Sequence, residues 1–154
     1  MYQKILVAID GSSASSSGLV EAIRFAKVTG GRLKLVHVLN MLIGAEYGMG
    51  VDANAMAASI RANGAEIIDE AAAIARKEGV AFEQQIVESF GRPADEIVKV
   101  AEAWSAELIV IGTHGRRGLK RLAMGSDAEL VLRLSSVPVL MIREKPEAGK
   151  VAAA

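Results

Sequence analysis

The sequence predicts an α/β fold: one open, five-stranded parallel sheet with helices on both faces. Short runs of consecutive apolar residues, such as Lys4 to Ile9 and Leu108 to Ile111, read as strands buried on both faces. Between them lie segments whose apolar residues recur at helical spacing. The two kinds alternate along the chain as β-α-β-α-β-α-β-α-β, the pattern of a parallel sheet whose strands are joined by helical crossovers.

The first strand, Lys4 to Ile9, ends in Asp10-Gly11-Ser12-Ser13, a turn cluster that also offers N-caps. Helical spacing follows from Ala14 to Thr29 through Leu19, Ala22, Ile23 and Ala26, and Gly30-Gly31 stops it. Leu33 to Leu39 returns to strand character. A longer alanine-rich helix spans Asp52 to Lys77 with Ile60, Ile67, Ile68 and Ile74 on its apolar side. Gly64 costs it about 1 kcal/mol relative to alanine and marks a place where it bends or breaks. Val80 to Val87 is the third strand. Arg92-Pro93-Ala94-Asp95 opens the next helix with proline in its first turn. Leu108 to Ile111 is the fourth strand, a short helix runs from about Ser126 to Leu134, and Val137 to Ile142 is the fifth strand. Residues 1–143 form one domain in this reading, and residues 144–154 a loose tail.

Composition narrows the function. The chain of 154 residues is 51% hydrophobic and 23% charged, with 18 basic and 18 acidic residues. The lack of a basic surplus argues against nucleic acid as a partner. With no cysteine, and only His37 and His114 as histidines, the sequence offers no thiol chemistry and no zinc spacing. No apolar run approaches the roughly 20 residues of a membrane span, and the amino terminus does not read as a secretory signal. A soluble, cytoplasmic protein is expected.

In open parallel sheets, ligands bind beyond the carboxyl ends of strands where the strand order reverses. Strand 1 ends in Ala8-Ile9-Asp10-Gly11-Ser12, and strand 4 ends in Gly112-Thr113-His114-Gly115. If these two strands are neighbours at the reversal, both loops open into one crevice. The stretch Ile111 to Ser126, I-G-T-H-G-R-R-G-L-K-R-L-A-M-G-S, carries four glycines and four positive charges. Glycines let backbone approach a ligand closely. A loop entering a helix at Gly125-Ser126 aims free N–H groups at that ligand from the positive end of the helix dipole, which suits a phosphate. Three or four charge-assisted contacts of about 1.5–3 kcal/mol each, with a stacked base, suffice for micromolar affinity. No stretch fits the P-loop pattern. Gly48-Met49-Gly50 begins a superficial dinucleotide fingerprint that does not follow the first strand.

The spacing Gly112-x-x-Gly115, nine residues, then Gly125-Ser126 resembles the G-2x-G-9x-G-[S/T] motif of the ATP-binding universal stress proteins. The resemblance runs through K-I-L-V-A-I-D-G-S, L-V-H-V, I-V-I-G-T-H-G-R-R-G and S-V-P-V-L-M-I-R, nearly the whole chain. It implies an adenine nucleotide alpha hydrolase-like sheet of order 3-2-1-4-5, with strands 1 and 4 at the reversal. It also implies ATP or another adenine nucleotide as ligand, Asp10 beside the ribose or adenine, and the backbone around Val38 at the adenine edge. Gly112, Gly115, Gly125 and Ser126 would wrap ribose and phosphates. The candidate nucleotide-binding set is Ala8, Ile9, Asp10, Val38, Gly112, Thr113, His114, Gly115, Arg116, Gly125, Ser126 and Asp127. Homodimers pairing Val137 to Ile142, and a nucleotide-dependent switch acting on a regulatory partner protein, complete the implied picture. Asp127 departs from the family pattern, where an apolar or small residue is usual. Its carboxylate either repels a terminal phosphate or helps to hold Mg²⁺.

Simpler roles stand beside these. Asp10 and the serines from Ser12 to Ser17 also serve as caps, and His114 reads as an ordinary loop residue. One of Arg116, Arg117, Lys120 and Arg121 is expected on a phosphate. The loop holding Gly44, Gly48 and Gly50 either closes over the base or merely connects. Two other functions use the same features: an ATPase or phosphotransferase, for which no general base is evident, and a nucleotide-free dimeric module, which tends to lack the full glycine motif. At most slow hydrolysis is expected.

Overall fold

A computed structural model describes residues 1–42, 52–114 and 125–144. The described elements are β1 (Lys4–Ala8), α1 (Ser13–Thr29), β2 (Arg32–Asn40), α2 (Ala53–Lys77), β3 (Phe82–Ser89), α3 (Pro93–Trp104), β4 (Leu108–Gly112), α4 (Ser126–Leu134) and β5 (Val139–Ile142). The strands form one sheet in the order β3-β2-β1-β4-β5, every neighbour parallel. Val7 faces Leu35 on one side and Val110 on the other, and Val110 faces Leu140. The order reverses between β1 and β4.

Successive side chains on a strand point to opposite faces, so a run of apolar residues feeds two cores at once. On one face Ile5, Val7, Ile9, Leu33, Leu35 and Val110 pack against Leu19 and Ile23 of α1 and Ile67 and Ile68 of α2. On the other, Leu6, Val36, Ile109 and Ile111 meet Ile97 and Val98 of α3 and Val131 of α4. Burial of large apolar side chains on both faces, about 1.5–3 kcal/mol each, is what keeps the crossovers on the sheet.

Three expectations are corrected. The α2 helix is continuous through Gly64. There an added Cβ would collide with the Leu39 side chain and come within 3.1 Å of the His37 ring, so the residue brings helix and sheet close together. Its propensity cost is met by burial, not by a break. The last strand begins at Val139, not Val137, because Pro138 has no N–H; its carbonyl accepts from the Ile109 N–H at 3.0 Å. The third strand is likewise displaced, running from Phe82 to Ser89. The glycine loop after β2 and most of the expected tail (residues 43–51 and 145–154) lie outside the described residues.

Candidate functional site

The strand order reverses between β1 and β4, where an open parallel sheet is expected to form its ligand crevice, and a small hydrogen-bond network joins the two strand ends. Ala8 and Ile9 are buried at the end of β1. The Ile9 N–H donates to Val36 O at 2.8 Å, and its carbonyl lies 2.6 Å from His37 Nδ1. A carbonyl only accepts, so Nδ1 carries the proton. Ile9 is thereby fixed from both sides, and its contribution is to place Asp10. The Asp10 Oδ1 accepts from the Ser12 N–H at 2.8 Å across Gly11, whose φ of 78° makes the turn. The Asp10 N–H in turn donates to Ser15 Oγ at 3.2 Å.

Ser12 joins the two loops. Its hydroxyl accepts from the Ser15 N–H as the N-cap of α1 (3.1 Å) and donates to the His114 carbonyl (3.2 Å). Gly112 has a packing reason to be glycine, since an added Cβ would lie 2.8 Å from the Ala14 carbonyl carbon and the Ser15 nitrogen. That close approach seats the end of β4 on the first turn of α1.

Thr113 holds the far wall. It is buried, its N–H donates to Ile142 O at 2.8 Å, and its carbonyl accepts from the Gly125 N–H at 2.7 Å. The second of these bonds brings the start of α4 to the end of β4. The Thr113 hydroxyl is 2.9 Å from His114 Nδ1, while His114 Nε2 is buried without a hydrogen-bond partner among the described residues. Gly125 is the N-cap of α4 and has no side chain of its own, and no side chain among the described residues caps the first-turn N–H groups around Ser126.

Asp127, also in that turn, has its carboxyl held above the usual aspartate range. Partial burial is the larger cause, and the Asp10 carboxylate acts in the same direction; the Ala94 N–H opposes both. Asp10 and Asp127, 117 positions apart by their numbers, thus sense each other across the crevice. Val38 lies on β2 opposite Val87 and packs partly buried against the second core. Gly115 and Arg116, with Arg117, Lys120 and Arg121, lie outside the described residues.

The fold therefore brings Asp10, Thr113, His114, Gly125 and Asp127 to one place. The sequence reading overlooked His37, Ser15 and Ala94 as supports. For His37 a signal existed, a polar residue within the apolar run L-V-H-V. No helix among the described residues is long and apolar enough to cross a membrane.

Comparison with known proteins agrees with this architecture. The universal stress protein family profile matches residues 1–143. Universal stress protein YxiE of Bacillus subtilis is 33% identical over 150 residues, covering 93% of this chain and 100% of that protein. Universal stress protein MJ0531 of Methanocaldococcus jannaschii is 31% identical, covering 94% and 84% respectively. Among solved structures, a universal stress protein family member from Burkholderia pseudomallei is 34% identical with a TM-score of 0.75, over 92% of this chain and 96% of that one. The universal stress protein of Archaeoglobus fulgidus in complex with dAMP is 29% identical with a TM-score of 0.64, over 92% and 98%.

Proposed function

The chain belongs to the universal stress protein family, and on that premise we propose that it is an adenine-nucleotide-binding regulatory protein. One observation carries the reading: the start of α4 at Gly125, which no side chain among the described residues caps, is tied to Thr113 and brings Asp127 near Asp10. Free N–H groups and the positive end of a helix dipole favour a phosphate there. Asp10 commits one carboxylate oxygen to Ser12 and offers the other to a ribose hydroxyl. The dAMP complex of the Archaeoglobus fulgidus relative supports the adenine nucleotide class. ATP is the expected cellular ligand, with Gly112, Gly115, Arg116 and Ser126 near its ribose and phosphates and the Val38 backbone at the adenine edge.

Mg²⁺ enters this reading only with the phosphates. It is usually held by one or two carboxylates plus substrate oxygens. Asp10 and Asp127 fit that role, while no cluster of three His, Asp or Glu suited to a metal occurs among the described residues. Occupancy of the crevice would act as a switch for a regulatory partner in the cytoplasm, with hydrolysis slow at most.

The reading includes a homodimer through the last strand. The two sheet edges differ in character. β3 carries Glu83, Gln84, Gln85 and Glu88, while β5 is Val-Leu-Met-Ile with no charge. Charges blunt an edge, and an apolar edge invites pairing.

The test is calorimetric titration of nucleotide-stripped protein with AMP, ADP and ATP, with and without Mg²⁺. Saturable micromolar binding, lost in Gly115→Val with circular dichroism unchanged, supports the proposal. No heat up to millimolar ligand overturns it, and unchanged affinity in Gly115→Val rules out the loop pose.

A further inference from the structure

At the opposite, amino-terminal end of the sheet, α3 and α4 stop beside one cavity of about 370 Å³. Ser105 and Ser135, the C-cap residues of the two helices, both line it. Val98, Ala106 and Val137 give it apolar walls. Glu102, in the last turn of α3, is the one charged residue of its lining among the described residues.

The carboxyl end of a helix carries partial negative charge and favours a cation. Here it meets a carboxylate instead. The last turn of α3 has no basic residue, and Arg133 in the last turn of α4 faces Glu129 at 4.0 Å. Lys4 donates to the Trp104 carbonyl at 3.1 Å but lines no part of the cavity. The Glu102 carboxylate has no hydrogen-bond or ion-pair partner among the described residues.

A cation in the same condition stands at the far end of β5. Arg143 is exposed and without an ion pair among the described residues. Val137, Val139 and Met141 pack toward the second core, the one covered by α3 and α4. Alternation puts Arg143 on that face too. Within one chain it is remote from the cavity, because about 20 Å of extended backbone separates it from Val137 in the wall.

A second copy closes that distance. The Pro138 and Ile142 carbonyls accept from Ile109 and Thr113, so the backbone groups of Val139 and Met141 point away from β4. In a two-fold antiparallel pair of β5 edges, the register that sets Val139 opposite the partner's Met141 engages all of those groups. Two positions along, the same register sets Val137 opposite the partner's Arg143. Facing residues of an antiparallel pair share one face of the sheet, with Cβ atoms about 4.5–5.5 Å apart. The partner's Arg143 thus stands at the wall of the cavity that Glu102 lines. Its planar fork of donors suits a carboxylate, and its charge suits two helix carboxyl ends.

Resting on the homodimer reading, we infer that this cavity is the docking site for the partner's Arg143, which pairs there with Glu102. The two-fold axis makes the contact twice. The surface shares no residue with the nucleotide crevice.

The experiment measures the dimer dissociation constant of the full chain by sedimentation equilibrium at low salt. Both residues are exposed, so their variants keep the core. Glu102→Gln and Arg143→Ala should each weaken the dimer about tenfold, an exposed pair being worth about threefold and occurring twice. Glu102→Arg and Arg143→Glu should each weaken it further, by setting like charges together. Mixed, those two variants should form heterodimers in preference to either homodimer, because both contacts regain opposite charges. Glu66→Arg mixed with Lys77→Glu, the same charge changes on exposed positions of α2, controls for net charge and should show no such preference. A dimer lost in Met141→Pro yet unchanged in Glu102→Gln overturns this inference and leaves the edge reading standing. So does a heterodimer preference no greater than the control's. A parent that stays monomeric overturns both.

Discussion

Asp127→Asn is the sharpest test of the crevice, because the side chain sits in the first turn of the helix assigned to phosphate. The residue lies at the surface with its carboxyl partly desolvated, so the water-like limit sets the least effect to expect. There, a unit charge about 6 Å from another contributes about 0.7 kcal/mol, or about threefold in affinity. AMP carries close to two charges at neutral pH, so Asp127→Asn should tighten AMP by about tenfold at low salt and by less near 0.15 M. The assay is calorimetric titration in EDTA from pH 4 to 8, both proteins side by side. The phosphate's own ionisation, near pH 6, lowers the ratio from about tenfold to about threefold as AMP loses one charge, and the further fall below that reports Asp127. That ratio should fall towards one as acid protonates Asp127, whose raised pKa brings the change in above the ordinary aspartate range. Stability follows the same sign. A carboxyl with a raised folded-state pKa contributes stability below its unfolded pKa, about 3.9, and loses it as pH rises through the folded value. Asp127→Asn should therefore raise Tm at pH 7 and leave it unchanged near pH 3. Weaker AMP binding by the variant in EDTA, or a ratio flat with pH, would refute the repulsion argument.

Three other predictions test the frame around the site. Gly112→Ala places a methyl 2.8 Å from the backbone of Ala14 and Ser15, so it should cost about 1–3 kcal/mol in urea denaturation; a neutral result would mean that the α1 contact yields freely. Ser12→Ala removes both the α1 cap and the link to the His114 carbonyl, and should cost about 1 kcal/mol with weaker AMP binding in the same preparation; full retention of both would dissociate the cap from the crevice. In β5 the carbonyls of Pro138 and Ile142 accept from the β4 side, so alternation turns the Val139 and Met141 backbone groups outward. Met141→Pro deletes one outward N–H and leaves the β4 ladder in place, so light scattering should show monomers; an intact dimer would move the interface off this edge.

Much of the sheet was legible because its central strands bury both faces. Ile5 to Ile9 and Leu108 to Ile111 could be read as strands without knowing what covers them, since both alternating sets of side chains enter a core. The strand order was not legible in that way. Periodicity says which face a residue takes and nothing about which strand lies beside it, and the order 3-2-1-4-5 came from family resemblance alone. Boundaries failed where backbone chemistry decided them: Val137 suits a strand, yet Pro138 delays the ladder to Val139.

The candidate site divides along the same line. Asp10, Gly112 and Gly125 stood out because each ends a strand or starts a helix, positions that can be assigned from local pattern. What joins them is long-range: Ser12 to His114 spans 102 positions, and Asp10 acts on Asp127 from the far side of the crevice. Glycine shows the limit most clearly. Gly64 looked like a weakness in a helix, and Gly112 like freedom for a ligand. In the fold both are places where a Cβ would strike a neighbouring element, Leu39 in one case and the Ala14–Ser15 backbone in the other. A glycine in a binding motif can thus be required by packing before any ligand arrives. For that reason Gly112→Ala should be read by stability first, and any loss of nucleotide affinity attributed to the crevice only in the fraction that remains folded.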